Sequence, residues 1–190
     1  MTELDEPLRR RLDALYADGR AHFERFQREV REQSFHPFIP AEYERVVNAL
    51  LPYRGRARRF LEWGSATGVI TISAALLGFE AYGIEIDADL VAAARRLALR
   101  HGADARFAAG SFLPEGYEWR SEAGDPRLGT IEHGPSAYEE LGHALDGFDL
   151  VYGYPWGGEE PLMIDLMRKR GAPGAHLLIN TTQGVKVVSF

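Results

Sequence analysis

Cysteine is absent from the 190 residues. That removes disulfides, thiolate catalysis and Cys-ligated zinc from consideration, and it fits a reducing, cytoplasmic setting. No run of 18 or more apolar residues occurs, so no membrane span is expected. The segment Met1 to Arg11 is charged and lacks an apolar core, so no signal peptide is expected. A basic excess is missing as well: 22 Lys and Arg stand against 28 Asp and Glu, a net charge of −6. A non-specific nucleic-acid binder needs a basic face, so a nucleic-acid partner is not expected. The densest basic group, Arg54, Arg56, Arg58 and Arg59, reads as a solvated turn or as a local patch for an anionic substrate. The six histidines (His22, His36, His101, His133, His143 and His176) show no metal-ligand spacing, and no metal site is expected. Repeats and low-complexity tracts are also lacking.

What is present is ordinary globular composition, 45% hydrophobic and 26% charged, long enough for a sizeable core. Residues 6–32 carry Leu8, Leu12, Leu15, Phe23, Phe26 and Val30 at helical spacing, interrupted near Gly19. They predict one bent or two consecutive amphipathic helices. Pro37 and Pro40 mark an extended break, and a further helix follows over 41–51, stopped by Pro52 and Gly55. From residue 59 strands alternate with helices: strand 60–63, helix 69–77, strand 81–86, a helix capped by Asp87 and running to Arg100, strand 105–109. A loop rich in Gly, Pro and charge covers 110–135. Ser136 and Glu139 fit a capping box opening a helix to Leu145. Strand 148–152, helix 161–170, strand 175–180 and a last strand 185–190 complete the chain. Such alternation predicts an α/β fold: a doubly wound, mainly parallel sheet with helices on both faces. The expected organisation is an N-terminal helical extension over 1–52, a core over 53–190 and a short C-terminal hairpin.

In such sheets ligands bind at the carboxyl ends of strands near the switch point. The first strand ends Glu62-Trp63-Gly64-Ser65-Ala66-Thr67-Gly68. Small residues at 64, 66 and 68 let a ligand approach the backbone, and the next helix offers unpaired N–H groups at its start. A dinucleotide fingerprint places its third glycine three residues after the second; here that spacing is two. The Gly-Lys-Ser/Thr of a P-loop is absent. The second strand ends Gly83-Ile84-Glu85-Ile86-Asp87, and an acid there can accept both hydroxyls of a ribose. Glu62 would repel a pyrophosphate but favour the ammonium of an amino acid.

The stretch 59–180 resembles the class I, Rossmann-like methyltransferases that use S-adenosyl-L-methionine. Their first motif is an acid followed by alternating glycines, matched by Glu62, Gly64, Ala66 and Gly68 with Ser65 and Thr67 between. The acid that holds the cofactor ribose is matched by Glu85, followed by Ile86. Their third strand ends in Gly-Asp near the adenine; Gly110-Ser111 stands there, and Phe112 is placed to pack on the ring. Their fourth strand can carry an Asn-Pro-Pro-aromatic motif. Here the run is Gly153-Tyr154-Pro155-Trp156, matching the last two positions and lacking the side-chain acceptor. The resemblance thus implies a cofactor set of Glu62, Gly64, Ser65, Ala66, Thr67, Gly68, Glu85, Ile86, Ser111, Phe112 and Gly153. It implies a transfer site of Tyr154, Pro155 and Trp156, and Glu159, at the start of the next helix, is a candidate beside them.

Methyl transfer asks the protein mainly for in-line positioning and water exclusion. Tyr154 and Trp156 either wall the methyl site or pack in the core. Glu159 and Glu160 either complement a helix dipole or act as a base or cation anchor. The resemblance implies that the segment with His36 and Phe38 covers the pocket, as such N-terminal segments do in related enzymes, and the 110–135 loop, with Tyr117, Trp119 and His133, is the natural substrate-selecting region. The implied acceptor is an unidentified small molecule or protein side chain. Two rivals stand beside this reading: a module that binds the cofactor without catalysis, and a nicotinamide oxidoreductase.

Overall fold

The computed structural model describes residues 4–30, 40–119, 134–155 and 159–190. The expectations placed on His36, Phe38, Trp156 and His133, with most of the 110–135 loop, lie outside them. Six strands form one sheet in the order β3-β2-β1-β4-β5-β6: β1 Arg59–Trp63, β2 Glu80–Glu85, β3 Ala105–Ala109, β4 Leu150–Gly153, β5 His176–Thr181 and β6 Gly184–Ser189. All pairs are parallel except β5 with β6, a hairpin. The chain runs outward from β1 to β3, then returns to place β4 on the other side of β1. The β1/β4 boundary is therefore the switch point where ligands bind in such sheets.

The central strands are short, rich in aliphatic and aromatic residues, and buried on both faces, as parallel strands require. One face packs on α1 (Glu6–Val30), α2 (Tyr43–Leu50), α3 (Val69–Leu77) and α4 (Ala88–Arg100). The other packs on α5 (Tyr138–Leu141) and α6 (Glu159–Arg170). Asp87 caps α4 as its sequence suggests, accepting from the N–H of Asp89 at 2.8 Å and of Leu90 at 3.2 Å. The buried stripes of α1 and α2 join the core of the sheet: Leu12, Leu15, Val46 and Leu50 sit in one apolar cluster with Phe60 and Ile72.

Two local expectations are refined. Of the two arrangements expected for the first segment, the single helix is the one observed: it runs 25 residues, through Gly19. Gly19 is buried because α3 crosses there; a Cβ on it would lie 2.5 Å from Val69 Cγ2 and 3.2 Å from the Tyr43 hydroxyl. Close approach of two helices, not chain reversal, explains the glycine. Gly19→Ala should therefore destabilise the protein by about 1–3 kcal/mol through overpacking. In an exposed helix the same change stabilises by about 1 kcal/mol, so the sign of the shift in a urea midpoint decides. The second expectation concerns Ser136. It opens no capping box, because it forms a β-bridge with Ser111. The helix spans only Tyr138–Leu141, has no side-chain cap and ends at Gly142 in the left-handed region, φ 70°. A separate 3-10 turn at Leu145–Gly147 follows.

Candidate functional site

Strand register assembles the site. Glu62 on β1 stands opposite Gly83 on β2 and Tyr152 on β4. Gly83 in turn faces Phe107, and Tyr152 faces Leu178. Residues opposite one another in neighbouring parallel strands share a face, so Phe107, Gly83, Glu62, Tyr152 and Leu178 form one row beneath α1–α4. Gly83 leaves room in that row: a Cβ there would come within 2.8 Å of Phe107 Cδ1 and of Ser65 Cβ.

The bend after β1 crosses this row. Gly64, Ala66 and Gly68 have φ of 70°, 46° and 77°. The alternation of small residues seen in the sequence is thus an alternation of left-handed backbone. Among the described residues Ala66 alone takes this conformation with a side chain, at a cost of about 1–2 kcal/mol. The turn is tied by Ser65 N–H to the Ile84 carbonyl at 2.8 Å and Gly68 N–H to the Ser65 carbonyl at 2.7 Å. Around Gly64 nothing lies within 4 Å of an added Cβ, so that glycine fronts open crevice. Gly68 is enclosed, with Phe107 ring atoms 2.6 Å from its added Cβ. Thr67 is buried.

The two acids flank this bend. Glu85 accepts the Ala66 N–H on Oε2 at 2.8 Å and the Asp87 N–H on Oε1 at 3.1 Å. Burial raises its pKa, while the backbone donors oppose that. Ile86 beside it is a large apolar side chain 40% exposed. Glu62 is buried and accepts both the backbone N–H of Thr71, at 2.9 Å, and its hydroxyl on Oε2. Burial pushes the Glu62 carboxyl up to about 8, against the two Thr71 bonds.

Between Glu62 and the bend lies a cavity of about 40 Å³, lined also by Tyr43, Tyr152 and Tyr154. Tyr154 follows β4 on the same face as Tyr152. Gly153 points to the opposite face, where a Cβ would lie 2.7 Å from Met163 Sδ. The missing side-chain acceptor is therefore matched by a filled position. Pro155 is half-buried, and Glu159 is buried in the first turn of α6.

The third strand end is braced from the far side. Gly110 N–H donates to the Glu85 carbonyl at 2.9 Å, and Ser111 N–H to that of Pro135 at 2.8 Å. The Ser111 hydroxyl accepts from Leu113 N–H at 3.1 Å. Phe112 stacks on Trp63 with centroids 5.1 Å apart, and Trp63 Nε1–H donates to the Tyr138 hydroxyl at 3.0 Å. One face of the Phe112 ring is thus taken by Trp63. Tyr117 donates to Asp165 at 2.7 Å, which pins the start of the long loop to α6. No cluster of three or more metal-ligating side chains occurs among the described residues, and no described helix is long and apolar enough to cross a membrane.

No protein-family model and no curated protein matches the sequence. Solved structures do match in shape. An RNA methyltransferase from Salinibacter ruber, in complex with S-adenosyl-L-homocysteine, superposes with a TM-score of 0.53 at 18% identity, over 80% of this chain and 92% of that one. A hypothetical protein from Thermus thermophilus gives 0.52 at 18% identity, over 83% and 94%. An O-methyltransferase from Bacillus cereus, also with S-adenosyl-L-homocysteine, gives 0.51 at 15% identity, over 94% and 67%. The chain has the Rossmann-like methyltransferase fold.

Within that fold, the sequence-derived residues Glu62, Gly64, Ser65, Ala66, Thr67 and Tyr154 line one cavity, Glu85 is tied to it through the Ala66 N–H, and Gly68 is packed against Phe107 instead. Ser111 closes the third strand end, and Phe112 packs with Trp63 in the core on the α5–α6 side of the sheet. Two cavity residues escape a reading of the sequence. Tyr152 hides in an apolar strand, although counting back two from Tyr154 places it on the same face. Tyr43 lies on the apolar stripe of a helix, where an aromatic reads as core packing.

Proposed function

We propose that the chain is a methyltransferase that uses S-adenosyl-L-methionine, acting on a small molecule or a protein side chain. One arrangement carries this reading: two buried carboxylates flank a left-handed bend, Glu85 holding its middle N–H and Glu62 bonded to Thr71 just beyond it. The residues present fit an adenosyl amino acid. Glu85 retains acceptor capacity for ribose hydroxyls beyond its two backbone bonds. Ile86 offers apolar surface to a base, and Gly64 leaves the backbone bare for close approach. Glu62 offers a carboxylate to an ammonium, and the cavity beside it suits only the small amino-acid end. When bound, S-adenosyl-L-methionine supplies a methyl group on a positively charged sulfonium. The chain's own contribution is orientation and exclusion of water. The Tyr154 ring at the inner end favours nearby positive charge by roughly 0.5–2 kcal/mol. Glu159 complements the dipole of α6.

Glu62 gives the reading a pH signature. Its carboxyl titrates near 8 in the folded protein, against an ordinary value of 4.5. An ammonium binds the ionised form, so binding expels a proton wherever Glu62 is protonated beforehand. S-adenosylhomocysteine affinity should then rise about tenfold per pH unit between roughly 6 and 7.5 and level off near 8. Stability of the ligand-free protein should move the other way. Between the two pKa values the folded state holds the proton that the unfolded state has lost, so stability falls as pH rises through that window.

Calorimetric titration with S-adenosylhomocysteine across this range, followed by transfer of labelled methyl groups to a lysate, tests the proposal. Micromolar binding with the stated slope and a labelled product support it. Tight binding without product would favour a non-catalytic module, a reading motivated by the filled position beside Gly153. Binding of NAD that S-adenosylhomocysteine does not displace would favour an oxidoreductase.

A further inference from the structure

Three buried side-chain oxygens have no hydrogen-bond partner among the described residues: those of Tyr43, Ser65 and Tyr152. All three residues line the small cavity at Glu62. A buried hydroxyl left unpaired costs about 1–3 kcal/mol, and native interiors leave few of them. Three at one place, around a carboxylate, indicate a polar occupant. Tyr43 and Tyr152 are 8% and 1% exposed. They arrive from opposite directions, one from α2 and the other from β4, the direct cross-strand neighbour of Glu62. Among the described residues no Arg or Lys lines the cavity.

We propose that the Tyr43 and Tyr152 hydroxyls donate to the carboxylate of an adenosyl amino acid while Glu62 accepts from its ammonium, making this corner selective for ligands with an intact amino-acid end. The inference rests on the methyltransferase reading. Two neutral donors beside one anionic acceptor match a zwitterion. A lysine or arginine there would pair with Glu62 itself, whereas a phenol can donate to the ligand without neutralising the acid. Both phenols stay protonated, and hence donors, at any physiological pH: burial and the Glu62 charge raise Tyr43 to about 12 and push Tyr152 higher still. The volume of about 40 Å³ holds roughly two or three water-sized groups, enough for a carboxylate and an ammonium but not for a nucleoside. Tyr43 is held in place from behind, where its ring lies 5.3 Å from that of Tyr16 on α1 and its hydroxyl nests over Gly19. The amino-terminal helices thereby become part of the binding site.

The test compares two ligands that differ by one group: S-adenosylmethionine, and its decarboxylated form, which keeps the ammonium. Calorimetry at pH 8 is run on the intact chain and on Tyr43→Phe, Tyr152→Phe and the double variant. The unaltered protein is expected to prefer S-adenosylmethionine by about a hundredfold, roughly tenfold from each phenol. Each single variant is expected to lose about tenfold for S-adenosylmethionine and less than about twofold for the decarboxylated ligand, and the double variant to lose the preference. Thermal midpoints report folding; each is expected to hold or rise, because an unpaired buried hydroxyl has been removed. Equal affinity of the unaltered protein for both ligands would overturn the inference and leave the methyltransferase reading standing. So would a parallel loss of both ligands in the variants, which would mark the phenols as shape alone. Binding of neither ligand by the unaltered protein would overturn both.

Discussion

Glu85→Ala is expected to weaken S-adenosylhomocysteine binding by several hundredfold or more while leaving the chain folded. Two charge-assisted bonds to ribose hydroxyls, at about 1.5–3 kcal/mol each, account for that loss. The variant also strips the carboxylate from the Ala66 and Asp87 N–H groups, so the bend loses the anchor that sets its shape. Folding suffers less than binding. The pKa of Glu85 is raised by burial, which means that its charged form is itself costly in the folded state, and removing it offsets part of the lost bonding. A thermal melt separates the two effects. Without ligand the midpoint should move by only a few degrees. The rise that saturating S-adenosylhomocysteine gives the unaltered protein should vanish. An unchanged ligand-induced rise in Glu85→Ala would remove the residue from the site.

Gly68→Ala is expected to act on stability instead, by about 3 kcal/mol or more. The left-handed conformation costs a residue with a Cβ about 1–2 kcal/mol. The new atom would also lie 2.6 Å from the Phe107 ring and 2.9 Å from Ala94 Cβ, in a core where overpacking costs about 1–3 kcal/mol. Gly64→Ala is the informative partner. Its φ is nearly the same, 70° against 77°, yet its added Cβ meets nothing within 4 Å. It should cost only the conformational part in a urea titration and show its larger effect on ligand affinity. If both glycines behaved alike, the division of the bend into a packed end and an open end would be wrong.

The contrast between these glycines marks how far the chain is legible as text. Alternating strands and helices, Asp87 as a cap, and the acid-plus-small-residue bend are short-range patterns, and all are present in the fold. The alternation at 64, 66 and 68 announces close approach to backbone, but which glycine faces a ligand and which faces Phe107 depends on a strand two positions across the sheet. Gly19 misleads for the same reason. Helix propensity reads it as an interruption, while tertiary packing against Val69 both demands it and keeps the helix running. Ser136 fits a helix cap locally, and its bridge to Ser111 overrides that. Tyr43 and Tyr152 are invisible because nothing near them in the chain distinguishes an aromatic that fills the core from one whose oxygen borders a cavity. Only the pairing of β1 with β4 brings Tyr152 beside Glu62.

That pairing also bears on how the molecule comes into being. The strand carrying Glu62 is made early, but one of its two neighbours in the sheet, and the Tyr152 and Tyr154 side of the small cavity, belong to a segment translated much later. Contacts between distant parts of a chain form slowly, because loop closure must precede them. A nascent polypeptide still lacking β4 would hold the carboxylate at a raw edge, open to water and to stray pairing. Competence to bind would therefore switch on abruptly, once the returning strand seats itself, rather than accumulate as synthesis proceeds.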